Sequence, residues 1–348
     1  MVSMNVITDF NAVGDGIHDD TLAIQTAINS VPEGGTLLVP AGNYKVSKNP
    51  LHKITTGYGT SYAALKIVKP ITIIMNDAIF ETKTADSYGA FWVYKASNVH
   101  FQGGSLRGDQ LPSNGILTSR VGLLLQDCRS CSVEGMTIRN YSQGINVYNS
   151  EDCSISRIIS EYNNGSGIIS FNSDRCLIDS CQIRNSRDGH LSLFGGGQYN
   201  TVSNCTVTED RDGNLNQQGI TLEREINSVI KNNTVRGFYY GIDVKNGSDS
   251  CILLENQCTN NQFNIAIRPG DDGNNLQATS NNITISKNDV TSPRRLGPSA
   301  GILVKVGSGH VISENIINKN MLILIGGVRI NNNLSLNQIK IINNRFIS

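Results

Sequence analysis

The stretch "GLLLQDCRSCSVEGMTIRNYSQGINVY" (122–148) ends as it begins, with a glycine followed by a short strand whose second and fourth side chains are apolar. The closing strand starts 22 residues after the opening one. "GIISF" (167–171), "GHLSL" (189–193), "GITLE" (219–223), "GIDVK" (241–245), "NIAIR" (264–268) and "GILVK" (301–305) follow at steps of 23, 22, 30, 22, 23 and 37 residues. A period of this size marks stacked units, each of which buries its apolar face against its neighbours. Apolar residues alternate in twos within each unit, and Val, Ile and Thr are frequent. That is a strand pattern and excludes a helical solenoid.

A second apolar beat and a polar stop follow each strand, as in "CLIDSCQIRN" (176–185) and "SVIKNNTVRG" (228–237). Cys181, Cys205, Asn233, Asn256, Asn288, Asn315 and Asn344 hold the stop in seven successive repeats. Asparagine tolerates the left-handed turn conformation and bonds to neighbouring backbone, so the column predicts one repeated corner. The fold expected is all-β: a right-handed, single-stranded parallel β-helix, its hand resting on the crossover preference. One domain is expected over 1–348, with regular coils over 122–348.

The 29 basic and 29 acidic residues of the 348 balance, which speaks against a nucleic-acid partner. No apolar run approaches membrane-spanning length, so no membrane partner is expected. Cys131, Cys153, Cys176 and Cys251 keep step with the repeat. A residue stacked on its own copies rarely has bridge geometry, so the eight cysteines read as buried reduced thiols rather than a disulfide ladder.

The N-terminus breaks the period. In "DDTLAIQTAINSV" (19–31), Leu22, Ala23, Ala27, Ile28 and Val31 fall on one helical stripe behind an acidic start. This predicts a capping α-helix within residues 1–46, covering an otherwise open coil end. A Ca²⁺ or Mg²⁺ site through Asp15, Asp19 and Asp20 is the competing reading, and His18 reads as surface.

The run "ITDFNAVGDGIHDDTLAIQTAIN…GGTLLVPAGNYKV" (about 5–46) resembles the N-terminal signature of the pectate-lyase-like β-helix superfamily, which includes phage tailspike depolymerases, alginate C5-epimerases and polysaccharide lyases. The resemblance implies a β-helix that handles carbohydrate. It does not name the reaction. The epimerases' Tyr-x-x-Asp-Pro-His run is reduced here to "RDGHL" (187–191), and the polygalacturonase motif order is absent. The signature's early start leaves no room for a signal peptide, and the expected location is extracellular or on a virion. The chain ends in the plain rung "IKIINNRFIS", whose readings are homotrimer contacts, a shortened chain or a lost C-terminal domain.

Alternation directs the fifth strand residues outward as one column: Gln126, Tyr148, Phe171, Leu193, Glu223, Lys245, Arg268 and Lys305. Asn146, Thr221 and Asp243 join from the third position. Tyr148 and Phe171 suit sugar faces, and Arg268 and Lys305 suit acidic groups, so a polysaccharide groove is expected. "GHLSL" conflicts with the rule, because strict alternation exposes Leu191 and Leu193 and buries His190 and Ser192. A one-residue slip, with a bulge at "FGGGQ" (194–198), puts Asp188, His190 and Ser192 on the groove instead. Insertions at 209–218 and 269–282 read as cleft walls, with Asp210, Asp212, Asp271 and Asp272 as spare carboxylates.

Three functions are open on these residues. In the first, a lyase abstracts the proton beside a uronate carboxylate, with Lys245, its basicity tuned by stacked cations, or His190 as base. No cofactor is required, and a Ca²⁺ ion is the alternative to one cation; no metal ligand set stands out. In the second, an inverting glycoside hydrolase uses Glu223 and Asp243, whose backbones lie about 8 Å apart by strand geometry, against the roughly 6.5–9.5 Å between carboxyls of such enzymes. The third is a tailspike-like or surface module that binds glycans without catalysis.

Overall fold

A computed structural model describes residues 2–56, 59–83, 88–109, 120–211, 217–270, 278–291, 299–318, 327–330, 334 and 338–347. They form two compact units, Met1–Ile169 with Ser186–Asp188, and Ser170–Asn185 with Gly189–Ser348. Both are parallel β-solenoid, the fold that the repeat predicts. Among the described residues no helix is long and apolar enough to cross a membrane.

In the N-terminal unit, Tyr88–Tyr94, Val121–Gln126 and Gln143–Tyr148 form one parallel ladder, joined on its outer side by Gly59–Ile67. One pair departs from the expected coil: Lys53–Thr56 runs antiparallel to Gly59–Ile67. A second ladder runs through Thr36–Val39, Thr72–Thr82 and His100–Arg107.

The helix is Thr21–Ser30, packed on the strand Gly59–Ile67. It buries Ile24, Ala27 and Ile28, with Val31 at its end, whereas Leu22 is 79% exposed. The acidic cluster works differently from the expected dipole cap. Asp20 is buried and accepts the Val13 and Gly14 N–H groups at 2.6 and 3.1 Å, tying the preceding loop. Asp19 alone serves the helix, accepting the Thr21 N–H at 3.0 Å. Asp15 binds the Ile17 and His18 N–H groups and the His18 ring, and the backbone bonds foremost hold its carboxyl at about 2. His18 is exposed, as expected.

In the C-terminal unit, Leu191–Phe194, Gln218–Glu223, Tyr240–Lys245, Phe263–Ile267 and Ala300–Val304 stack in parallel. Ile220, Leu222, Ile242, Val244, Ile265, Ile267, Ile302 and Val304 point inward and are wholly buried. Each contributes about 1.5–3 kcal/mol over an exposed position, so the period-two pattern is also the source of cohesion.

The asparagine column is real, but its part in the corner differs from the expected one. The left-handed residues are those just before the stop: Ser180, Asn204, Asn232, Glu255, Lys287, Glu314 and Asn343. The asparagines themselves turn inward. The Oδ1 atoms of Asn233, Asn256, Asn288, Asn315 and Asn344 each accept the N–H of the preceding stop residue at 2.8–3.0 Å. Their Nδ2 groups satisfy buried carbonyls such as Val202 and Ile230. The eight cysteines are free and buried.

Candidate functional site

The strands Gln218–Glu223 and Tyr240–Lys245 carry the centre of the expected groove. Their register sets Thr221 beside Asp243 and Glu223 beside Lys245. With Ile220, Leu222, Ile242 and Val244 committed to the core, these four point to the outer face.

The outer face is not the bare cation stack that alternation suggests. Two of its three cations, Lys245 and Arg268, are matched to an acid one coil earlier. Arg268 donates through Nε to Asp243 Oδ1 at 2.8 Å and through Nη2 to Oδ2 at 2.7 Å. Its guanidinium also lies over the Tyr240 ring, 4.5 Å from the centroid. Lys245 Nζ stands 3.6 Å from Glu223 Oε2, and the Asn246 amide donates to Glu223 Oε1. Lys245, expected to be crowded by cations, thus has a carboxylate beside it. The pairs also explain why these charged residues tolerate burial, Asp243 at 0% exposed and Glu223 at 6%. Tyr239 and Tyr240 pack beside Phe263, Ala266, Ala300 and Leu303, forming an apolar flank.

The fourth strand takes the slipped register. Leu191 pairs with Ile220 and Leu193 with Leu222, both inward; Ser192 pairs with Thr221 and Phe194 with Glu223. Phe194 thus replaces Leu193 in the outer column. It is half-buried, with its ring 5.2 Å from Phe171. These two rings are an aromatic platform in the same column as Glu223.

His190 does not reach the groove. It is wholly buried, edge-on to Phe238 at 4.6 Å, and its Nε2 stands 3.5 Å from Glu209 Oε2. The register puts it level with Gly219, where a Cβ would point at Phe238 and Val235. A side chain at this corner therefore goes inward, which is the physical reason the expected base is lost. Burial by itself would raise the Glu209 carboxyl; the hydrogen bonds from Arg211 and His190 overcome it and hold it at about 2. This cluster anchors the start of the first insertion.

The remaining candidates are dispersed. Tyr148 and Asp188 belong to the N-terminal unit; Tyr148 packs on a cluster of Ile54, Ala63, Trp92 and Leu124, while Asp188 is exposed. Lys305, one coil after Arg268, is exposed, and its N–H donates to Ile267 O. Asp210 pairs with Arg236 at 3.2 Å. Asp212, Asp271 and Asp272 lie outside the described residues. Among the described residues no group of three or more metal-binding side chains occurs.

Two residues escaped the sequence reading. Asn246 follows the strand and looks like a turn residue, yet it orients Glu223. Glu225 is wholly buried, and burial pushes its carboxyl up to about 7 against hydrogen bonds from Asn200 and Ser228.

Comparison with known proteins adds a lineage. The first 43-residue match among characterised proteins is to mannuronan C5-epimerase AlgE5 of Azotobacter vinelandii, 54% identical over 12% of this chain and 4% of that protein. The matched segment is thus a small part of that relative. The A-module of mannuronan C-5 epimerase AlgE4 from the same organism superposes with a TM-score of 0.64 at 16% identity, covering 99% of this chain and 97% of the module. The Dettilon tailspike protein gp208 gives 0.69 at 16% identity, covering 98% of this chain and 68% of the tailspike. At such identities the superpositions speak for the fold. The description "Rhamnogalacturonase A/epimerase, pectate lyase-like" matches residues 3–243. The chain therefore belongs to the pectate-lyase-like rhamnogalacturonase A/epimerase family.

Proposed function

We propose that this chain is an enzyme that cleaves an acidic polysaccharide by β-elimination at the outer face formed by Gln218–Glu223 and Tyr240–Lys245. The observation that carries it is the Glu223–Lys245 pair, set in the same column as the Phe171–Phe194 platform. In this reading the aromatic rings hold a sugar face and the Lys245 ammonium takes over the uronate carboxylate from Glu223. The released Glu223 carboxylate removes the proton on the carbon beside that carboxylate. The electron pair forms the carbon–carbon double bond, the glycosidic C–O bond breaks, and the leaving oxygen takes a proton from water. Arg268, fixed by Asp243, lends a second cation. Relatives named for action on mannuronan, an acidic polysaccharide, support the substrate class.

Hydrolysis through Glu223 and Asp243 is the weaker alternative. An inverting hydrolase needs a carboxyl open to water opposite the leaving group, whereas both Asp243 oxygens are held by Arg268 with no exposed surface. A polysaccharide substrate of this kind would place the protein outside the cell or on a virion.

The deciding experiment is incubation with uronate-containing and neutral polysaccharides, following both ultraviolet absorbance of unsaturated uronate and new reducing ends. Elimination gives both signals from a uronate polymer. Reducing ends without the absorbance mean hydrolysis; glycan binding with neither signal means an epimerase or a binding module. Either outcome removes the lyase assignment.

A further inference from the structure

We propose that the N-terminal unit carries a separate site for the carboxylate of a uronic-acid residue, in the cavity of about 420 Å³ walled by Lys45, Glu81, Lys83, Arg107 and Asp109. The choice of a uronate rests on the acidic-polysaccharide reading above; the anion site itself rests on the geometry below.

Register builds the site. Lys45 pairs with Glu81, Glu81 with Arg107, Arg107 with Arg139, and Arg139 with Glu161, so five charges stand in one column on successive strands. Glu81 serves Arg107 at 3.1 Å, and Glu161 serves Arg139 at 3.8 Å. Arg107 and Arg139 are thus direct neighbours across a rung. Like charges opposite one another are unfavourable unless an anion stands near.

The pairing of Arg107 is incomplete. One terminal nitrogen meets Glu81, and its buried Nε has no hydrogen-bond partner among the described residues. The cavity wall adds Lys83, exposed, and Lys45, whose Nζ donates to the Ile17 carbonyl at 3.4 Å and whose charge also acts on Asp19. Three cations against two carboxylates leave a positive wall. The volume falls within the range of small-ligand sites. A guanidinium and two ammonium groups lining one cavity suit a carboxylate on a polar ring, with hydrogen bonds strengthened by charge.

The test follows the backbone amide resonances of Gly16 and Gly108, which also line the cavity, during titration with trigalacturonate. The controls are the same oligomer with its carboxyl groups reduced, and inorganic phosphate. The protein carries Glu223→Gln so that ligand is not consumed. Saturable shifts with trigalacturonate alone are expected. In the additional double variant Lys45→Ala/Lys83→Ala the affinity at these amides should fall about tenfold, the loss of a charge-assisted contact, with an unchanged far-ultraviolet circular dichroism spectrum. Silent amides, equal response to the reduced oligomer, or saturation by phosphate at the same strength would each overturn the assignment. Elimination activity in the parent protein with silent amides sinks this site alone; responsive amides without elimination sink the lyase reading alone.

Discussion

Arg268 grips both oxygens of Asp243, at 2.8 and 2.7 Å, from one coil further along the chain. The pair is buried, so its two halves are interdependent. Asp243→Ala strands a guanidinium and should cost about 3–5 kcal/mol in urea unfolding. The double variant Asp243→Ala/Arg268→Met should recover most of that loss. Equal destabilisation in the single and double variants would show that the pair is not the reason for the cost.

Glu223 and Lys245 predict a kinetic division. Glu223→Gln keeps the hydrogen bond from Asn246 but removes the proposed base, so kcat should drop by about 10²–10⁴-fold. Lys245→Ala should weaken turnover of uronate polymers and leave binding of carboxyl-reduced polymer unaltered. Full activity in both variants would vacate the site.

Stability should depend on pH through Glu225. Its folded carboxyl is raised from an ordinary 4.5 to about 7, so its protonated form suits the fold. The contribution is complete below about 4.5 and is lost as pH rises through 7. Glu209, held at about 2, works in the opposite sense: its contribution is present above 4.5 and is lost as pH falls through 2. Urea midpoints should therefore decline between pH 4.5 and 7.5, and Glu225→Gln should flatten that slope. A slope unchanged in Glu225→Gln would assign it elsewhere.

The interior asparagines should be costly to remove. Asn256→Ala unpairs the Asn233 N–H and the Ile230 carbonyl, both buried. About 2–3 kcal/mol is expected in chemical denaturation. Asn344→Ala, in a partly buried corner, should cost less.

The thiols give a direct check of the stacked interior. Ellman's reagent should find almost no reactive cysteine in the native protein and eight after denaturation. Fewer than eight in denaturant without reductant would reveal a disulfide.

The coil was legible because two periods coincide in the sequence: alternation inside each strand and recurrence of the whole strand. The slip at Leu191 was legible for a related reason, since strict alternation would have exposed two leucines. His190 was misplaced because alternation says nothing of a corner, where the chain turns before the strand begins at Leu191. Leu22 was misread because a helix of ten residues laid on one strand buries a narrower face than its hydrophobic stripe. The pairing of Arg268 with Asp243 is diagonal, from a fifth position to a third on the preceding coil. Vertical columns alone set only Lys245 and Lys305 beside Arg268.

The asparagine ladder also separates size from chemistry. Asn233 and Asn256 close equivalent corners 23 residues apart, and each offers the same bonds to whatever turn precedes it. Excising or duplicating one such segment would join matching ends, as links do in a chain. The number of coils can thus change by whole modules, provided that the segment between Asn233 and Asn256, which holds Asp243, Lys245 and Asn246, stays in place.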